Sequence, residues 1–391
     1  MKKKKYSQLL STLLVVCAAL FMIVTNSCTK STEPSEIVFT ALPFACEEFS
    51  LGYALGISSD GTTVVGGSAV DTDPTGKVME EAPVLWVEDQ ITTLPFPDSF
   101  YTPVLSRVAS VYDISNTGVM VGNQGYGDLS PVAYYYSGEQ WHAIIDPATS
   151  VNAQTASGIS GDGNLIVGLS GDIRENQGGY YFNVATGEFT ILESSFGDSA
   201  QYSNCQTGLF AISKDGNIMV GSDYAAKYDS IDIEIPIYFD MVKDTSATRL
   251  PLQDGYIAGV AEGISADGTT IGGTAIDDDG TPIAVYWDDN LQVHVIGTFS
   301  PYPGPIQPPT VALAASDNGD RIVGTSYDIA FIKFKNDEMW SLQDWLEDEG
   351  LSSELANWEL LTATSITPDG HWIAGTGRNG VYDQAFKVYI P

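Results

Sequence analysis

YALGISSDGTTVVGGS (residues 53–68) reads as a strand, a turn and a second strand, and six further stretches of the chain repeat it. They are SVYDISNTGVMVGNQ (110–124), TASGISGDGNLIVGLS (155–170), GLFAISKDGNIMVGSD (208–223), VAEGISADGTTIGGTA (260–275), ALAASDNGDRIVGTS (312–326) and TATSITPDGHWIAGTG (362–377). The shared phrase is small residue, Ile, Ser, any residue, Asp, Gly, two residues, an aliphatic pair and Gly. The equivalent serines are Ser58, Ser115, Ser160, Ser213, Ser265, Ser316 and Ser365, spaced 57, 45, 53, 52, 51 and 49 residues apart. Repeats of this length built of short strands specify a β-propeller.

Asp-Gly between two apolar runs is a hairpin signal, because Asp tolerates a left-handed backbone and Gly has no Cβ to clash at positive φ. A third, aromatic run follows each phrase, as in PVLWV (83–87), GGYYFN (178–183) and PIAVYW (282–287). A polar turn then leads to a fourth, as in QITTL (90–94) and QVHVI (292–296). Four strands in meander order make one blade. The seventh repeat ends at Pro391 without its fourth strand, and Ile37–Phe44 reads like Gln90–Phe96. The expected fold is therefore all-β, a single seven-bladed β-propeller over residues 36–391. Its last blade is closed by the N-terminal strand, with Ile37–Leu42 beside Ala385–Ile390, which leaves no sheet edge at the ends. Within Ser341–Trp358, Ser341 and Asp344 form a capping pattern, Leu342, Trp345 and Leu346 have helical spacing, and Gly350 suits a C-terminal cap. One short inserted helix is expected near 341–350.

Residues 1–27 read as a targeting segment. Lys2–Lys5 are basic, and Leu9–Val24 is an apolar run of 16 residues, short of the roughly 20 that span a bilayer. Thr25-Asn26-Ser27-Cys28 then resembles the lipobox of bacterial lipoproteins, with Thr25 where that pattern prefers Leu. The resemblance implies lipidation at Cys28, a polar tether over 28–35 and a bacterial outer-membrane or cell-surface location. An ordinary secretory signal cleaved near Ser27 is the alternative. Thr29 rather than Asp after the cysteine implies, by analogy with other lipoproteins, that the protein leaves the inner membrane. Removal of residues 1–27 takes four lysines and no acid, moving the net charge from −33 to −37. Such a chain repels phosphate backbones, which excludes nucleic acid as a partner. Of the remaining cysteines, Cys46 and Cys205 could pair in an exported chain or stand as two small buried thiols.

The Ile-Ser-x-Asp-Gly-x-x-Val-Val-Gly core, the aromatic strands ending in Trp86 or Trp287, and SLQDWLEDEG (341–350) before WELLTATSITPDG (358–370) resemble the extracellular HAF-repeat proteins of bacteria. The resemblance covers about residues 36–391 and implies export and a repeat β fold. Few third strands here read Ala-Phe-x-Trp, and Ala315 replaces the usual Ile. The family carries no catalytic residues that transfer.

Gly375-Thr376-Gly377-Arg378-Asn379-Gly380 matches a dinucleotide pattern but precedes a strand, whereas that chemistry needs a helix N-terminus. The turn acids Asp60, Asp162, Asp215, Asp267 and Asp369 resemble sialidase Asp-boxes, yet Thr117 and Asn318 replace them in other copies. A sialidase needs an arginine cluster, and Arg107, Arg174 and Arg378 are expected in loops of one face. Asp71-x-Asp73-x-Thr75-Gly76 has the alternating oxygen spacing of a calcium loop, making Asp71 and Asp73 candidate Ca²⁺ ligands, and Asp277–Gly280 occupies the matching loop of the fifth repeat. No other cofactor is expected. His142, His294 and His371 are expected in strands, packed or facing solvent rather than as ligands. The loop face carries Tyr101, Tyr126, Tyr202, Tyr224, Tyr228 and Tyr302, aromatics suited to a protein or glycan ligand. The reading is a lipid-anchored monomeric binding protein, and the rival is a glycan-acting, sialidase- or lyase-like enzyme. Carboxylates and arginines converging at the central opening would favour the enzyme.

Overall fold

The computed structural model describes residues 34–47, 50–71, 79–97, 107–126, 131–150, 152–170, 178–192, 207–228, 231–299 and 309–391. Nearly all regular structure is strand, arranged as five four-stranded antiparallel sheets and one of eight strands. The larger sheet is two meanders joined through a single parallel bridge, Glu81 with Val108. Val38–Ile390 form one unit; residues 34–37 and Pro391 belong to no strand or helix.

Each meander opens with an inner strand: Gly52–Ile57, Arg107–Ile114, Ala153–Ile159, Gly208–Ile212, Tyr256–Ile264, Thr310–Ala315 and Trp358–Ile366. Consecutive inner strands touch in chain order, and Trp358–Ile366 touches Gly52–Ile57. The apolar clusters straddle consecutive meanders. Val65 and Leu94 pack with Val111 and Ile114, Val167 and Leu192 with Leu209 and Ile212, and Val220 and Leu250 with Ala261 and Ile271. The core is thus the set of faces between neighbouring sheets, which is why β-branched and aromatic residues fill both sides of the strands.

Val38–Ala41 pairs antiparallel with the last strand, Val38 opposite Tyr389 and Ala41 opposite Phe386, and the Leu42 amide donates to the Ala385 carbonyl at 2.9 Å. The terminal strand pairing read from Ile37–Phe44 is therefore present. Leu42 is buried between Trp86 of the first meander and Ala374 and Ala385 of the last. The indole N–H of Trp86 donates to the Pro43 carbonyl at 2.9 Å. Trp287 repeats this contact with Pro251 at 2.6 Å, and Trp141 with Pro95 at 2.8 Å. In each case a Leu-Pro exit from one meander is pinned by a tryptophan of the next.

The repeated turn is held by its hydroxyl. Ser160 Oγ accepts the Leu165 amide at 2.9 Å and donates to Asp162 Oδ1 at 2.6 Å, and that carboxylate accepts the Asn164 amide at 3.0 Å. The turns at Ser58, Ser213 and Ser265 repeat these three bonds. Only the glycine takes positive φ in six copies (80° at Gly163), and Asn318 alone joins it in the sixth. The Asp is therefore present as an acceptor and not for a left-handed backbone. In the last copy the bonding residue is Thr367, whose Oγ1 accepts the Trp372 amide at 3.0 Å and donates to Asp369 Oδ1 at 2.5 Å. This corrects the expected Ser365, which lies two residues earlier in the inner strand. The helix Leu342–Leu346 is capped by Ser341 as expected, with Leu342 and Leu346 buried and Gly350 at φ 107°.

Thr367→Val should destabilise the fold by about 1–3 kcal/mol, because the part-buried Trp372 amide loses the buried hydroxyl that accepts it, while Ser365→Ala should cost under about 0.5 kcal/mol. Urea denaturation of both variants checks this; equal losses would return the repeat to the Ser365 register.

Candidate functional site

Each inner strand carries a β-bulge at the same place in the repeat, and Ala153–Ile159, Tyr256–Ile264 and Trp358–Ile366 carry a second register shift nearer their start. The residues bulged at the shared place are Leu55, Tyr112, Ser157, Phe210, Glu262, Leu313 and Thr364. A bulge leaves one residue out of the ladder and re-aims its side chain. All of them line one cavity of 420 Å³. Its walls are close because the next residue along each strand is small, with one exception. A Cβ on Gly263 would stand 1.9 Å from the Leu313 carbonyl oxygen of the neighbouring strand.

The exception is Asp113. Its carboxylate accepts the Ile114 amide at 2.8 Å and, across the sheet boundary, the Ile159 amide at 3.0 Å. Lys214 Nζ donates to both its oxygens, at 3.0 and 3.1 Å, and to the carbonyls of Ile114 and Ile159 at 3.1 and 3.4 Å. This pair ties three consecutive sheets. Below it the turns bond to one another: the amide of Asn116 donates to Gly161 O at 2.9 Å, that of Gly161 to Lys214 O at 2.7 Å, and that of Lys214 to Ala266 O at 3.0 Å. Further round, the Asp317 amide donates to Pro368 O at 2.8 Å. Proline has no N–H to continue the chain; there, Thr364 Oγ1 reaches Ala54 O at 2.9 Å.

Glu262 differs from the other cavity residues. Its carboxyl has no hydrogen bond or ion pair with a described residue. Burial, and then the Glu234 carboxylate, pushes it up to about 7. It also borders a second cavity of 360 Å³ with Val260, Thr274 and Thr310. Higher on the inner strands, Tyr53 donates to Glu81 at 2.8 Å and meets Ser110 at 2.7 Å; burial and then Glu81 push its phenol upward, so it keeps its proton.

The residues singled out in the sequence fall elsewhere. Cys28, Tyr101, Tyr202, Tyr302, Asp73, Arg174 and Cys205 lie outside the described residues. Cys46 is a half-buried free thiol. Asp71 closes a strand, opposite Met79. Tyr126, expected in a loop, ends a strand opposite Arg107. Tyr224 and Tyr228, also expected in a loop, lie in a long hairpin, Ile218–Tyr228 with Ile231–Asp240, opposite Glu234 and Ile231. The period-two run Ile231, Ile233, Ile235 was the signal for that strand. Arg107 and Arg378 are in strands and ion-paired, Arg107 with Glu80 at 2.7 Å and Arg378 with Glu359 and Asp383. Asp277 spends its Oδ1 on the amides of Asp279 and Thr281 within its own turn. His142 stacks on Tyr135 and His294 on Tyr286, and His371 bonds the Ile390 carbonyl. Gly375–Asn379 is strand, not the start of a helix.

Comparison with protein families and with curated proteins gives no match. Among solved structures the chain is similar to oligogalacturonate lyase from Vibrio parahaemolyticus, at 11% identity and TM-score 0.53 over 91% of this chain and 97% of that one. An oligogalacturonate lyase in complex with manganese gives 12% identity and TM-score 0.53 over the same shares. TolB from Acinetobacter baumannii gives 14% identity and TM-score 0.43, covering 70% of this chain and 61% of that chain's length. At these identities the likeness is one of fold, and the fold is of the β-propeller kind.

Below its unfolded value near 4.5 Glu262 is protonated whether folded or not, and above about 7 it is ionised in both states. Between them the folded chain holds the extra proton, so this group's share of stability is lost as pH rises through that window. Glu262→Gln should match wild type near about pH 4 and melt higher than wild type near about pH 8. A melting difference independent of pH would place the carboxyl in water.

Proposed function

We propose that the chain is a lipid-anchored binding protein of the bacterial cell surface, similar to HAF-repeat proteins, built as one seven-bladed propeller over residues 36–391. Residues 1–27 direct export, Cys28 carries the lipid, and 28–35 form the tether. The seven-blade count draws support from the inner strands, which follow one another and return to the first. Its ligand is a protein or glycan taken on the loop face, with Ca²⁺ at Asp71 and Asp73 steadying one loop.

The observation that carries the binding reading is the hairpin Ile218–Asp240. Its inner neighbour Gly208–Ile212 pairs only as far as Ser222, while the hairpin continues to Tyr228 and Ile231. A two-stranded ribbon bearing Tyr224 and Tyr228 beyond its sheet suits recognition better than chemistry. The Asp113–Lys214 pair is engaged in bonds that tie the scaffold, so it supplies no free acid and base. The enzyme reading draws on one observation, the Glu262 carboxyl near 7, a value suited to proton transfer.

A glycan array and a cell-surface-protein screen with residues 28–391 should return a ligand without turnover, and Tyr224→Ala with Tyr228→Ala should weaken it at least about tenfold. Turnover abolished by Glu262→Gln would establish the enzyme instead. Cys28→Ser should abolish fatty-acid labelling and move the protein from the membrane to the soluble fraction. Labelling that persists would refute the anchor.

A further inference from the structure

The loop-face reading leaves the central cavity without a task. Its lining combines three features. The bulged positions vary freely, from Leu55 and Phe210 to Ser157 and Glu262, whereas the residue after each is small except at Asp113. A scaffold position that is re-aimed inward and is not fixed by the repeat is free to serve a ligand. Lys214, the one cation among the described residues lining the cavity, is held by Asp113 and two carbonyls. Its remaining carboxylate, Glu262, has no partner among the described residues.

We propose that this cavity binds a small organic cation, an ammonium or guanidinium on an apolar body, with Glu262 as its counter-ion and Leu55, Phe210, Leu313 and Tyr112 around the apolar part. An unpartnered carboxyl in a cavity walled by apolar side chains gains most from a cation that brings its own hydrogen-bond donors. The raised pKa of Glu262 agrees, since a bound cation would restore the ionised form that burial disfavours. Tyr112 and Phe210 line the same cavity, and aromatic rings there add to the attraction for a cation. A chain of net charge −33 draws cations toward it.

Competing ligand classes fit less well. A metal ion such as Ca²⁺ needs about six to eight oxygen ligands, and the cavity has one uncommitted carboxylate. A neutral sugar needs many hydroxyl partners; Ser157 and Thr364 lie in the ring, and the Thr364 hydroxyl already donates to Ala54 O. An anion meets two carboxylates against one lysine that is already paired.

The test is titration calorimetry of residues 28–391 with benzylammonium chloride and with benzyl alcohol, its neutral counterpart. Saturable binding of the ammonium at millimolar or lower concentration is expected, with the alcohol at least about tenfold weaker. Glu262→Gln should reduce ammonium affinity at least about tenfold, and Phe210→Leu should reduce it by a smaller factor. Asp320→Asn, on an exposed outer pair with Lys335, should bind as wild type does. Circular dichroism of each variant confirms the fold. Equal binding of ammonium and alcohol, wild-type affinity in Glu262→Gln, or no saturable heat for the ammonium would each overturn the proposal. None of these outcomes depends on whether the loop face binds a protein or a glycan.

Discussion

One hydroxyl per repeat holds the molecule's registers in place. It accepts the amide five residues on (four at Ser115) and, where the turn carries an Asp, donates to the carboxylate two residues on. With the turn so fixed, the residue after the hydroxyl is brought to the next turn, where amide and carbonyl meet between sheets. The inner strand must then run between a fixed turn and its neighbour's backbone, which the flanking small residues allow to come close. The bulge is what accommodates this, and the bulged residues line the shared cavity. Fold and cavity are consequences of one local interaction repeated around the chain.

The same economy explains where the sequence was legible. The terminal pairing could be read because Leu42-Pro43-Phe44 repeats Leu94-Pro95-Phe96, and in the structure each leucine is buried at a sheet boundary with a tryptophan bonding the proline carbonyl. The helix could be read because a cap and an apolar spacing are both local. The register of the last repeat was misread because Ser365 and Thr367 flank one Ile and both carry hydroxyls. The deciding pattern is small–variable–small–Ile–hydroxyl, as in Ala54–Ser58 and Ala261–Ser265, and it selects Thr367. That same variable position marks the cavity. It escaped notice because a single unpaired residue does not disturb the strand's apolar alternation enough to announce a bulge.

Charge is distributed with a similar logic. The chain is strongly acidic, yet many of its described acids have partners: buried Glu80 has Arg107, half-buried Asp113 has Lys214, and the exposed turn acids have amides and hydroxyls. In Asp162 the Ser160 hydroxyl, then the Asn164 amide, holds the carboxyl below the usual range, so its contribution is present at neutral pH and is lost only in acid. Glu262 goes the opposite way, and the cost of its burial is the reason it stands out.

The central claim is that seven like turns set seven bulged strands around one cavity. An X-ray structure of residues 28–391 tests it most directly. The account predicts four-stranded sheets closed by Val38–Ala41 against the last strand, with Leu55, Tyr112, Phe210, Glu262 and Leu313 facing a common space. Straight inner strands, a different number of sheets, or Glu262 turned out to solvent would contradict it.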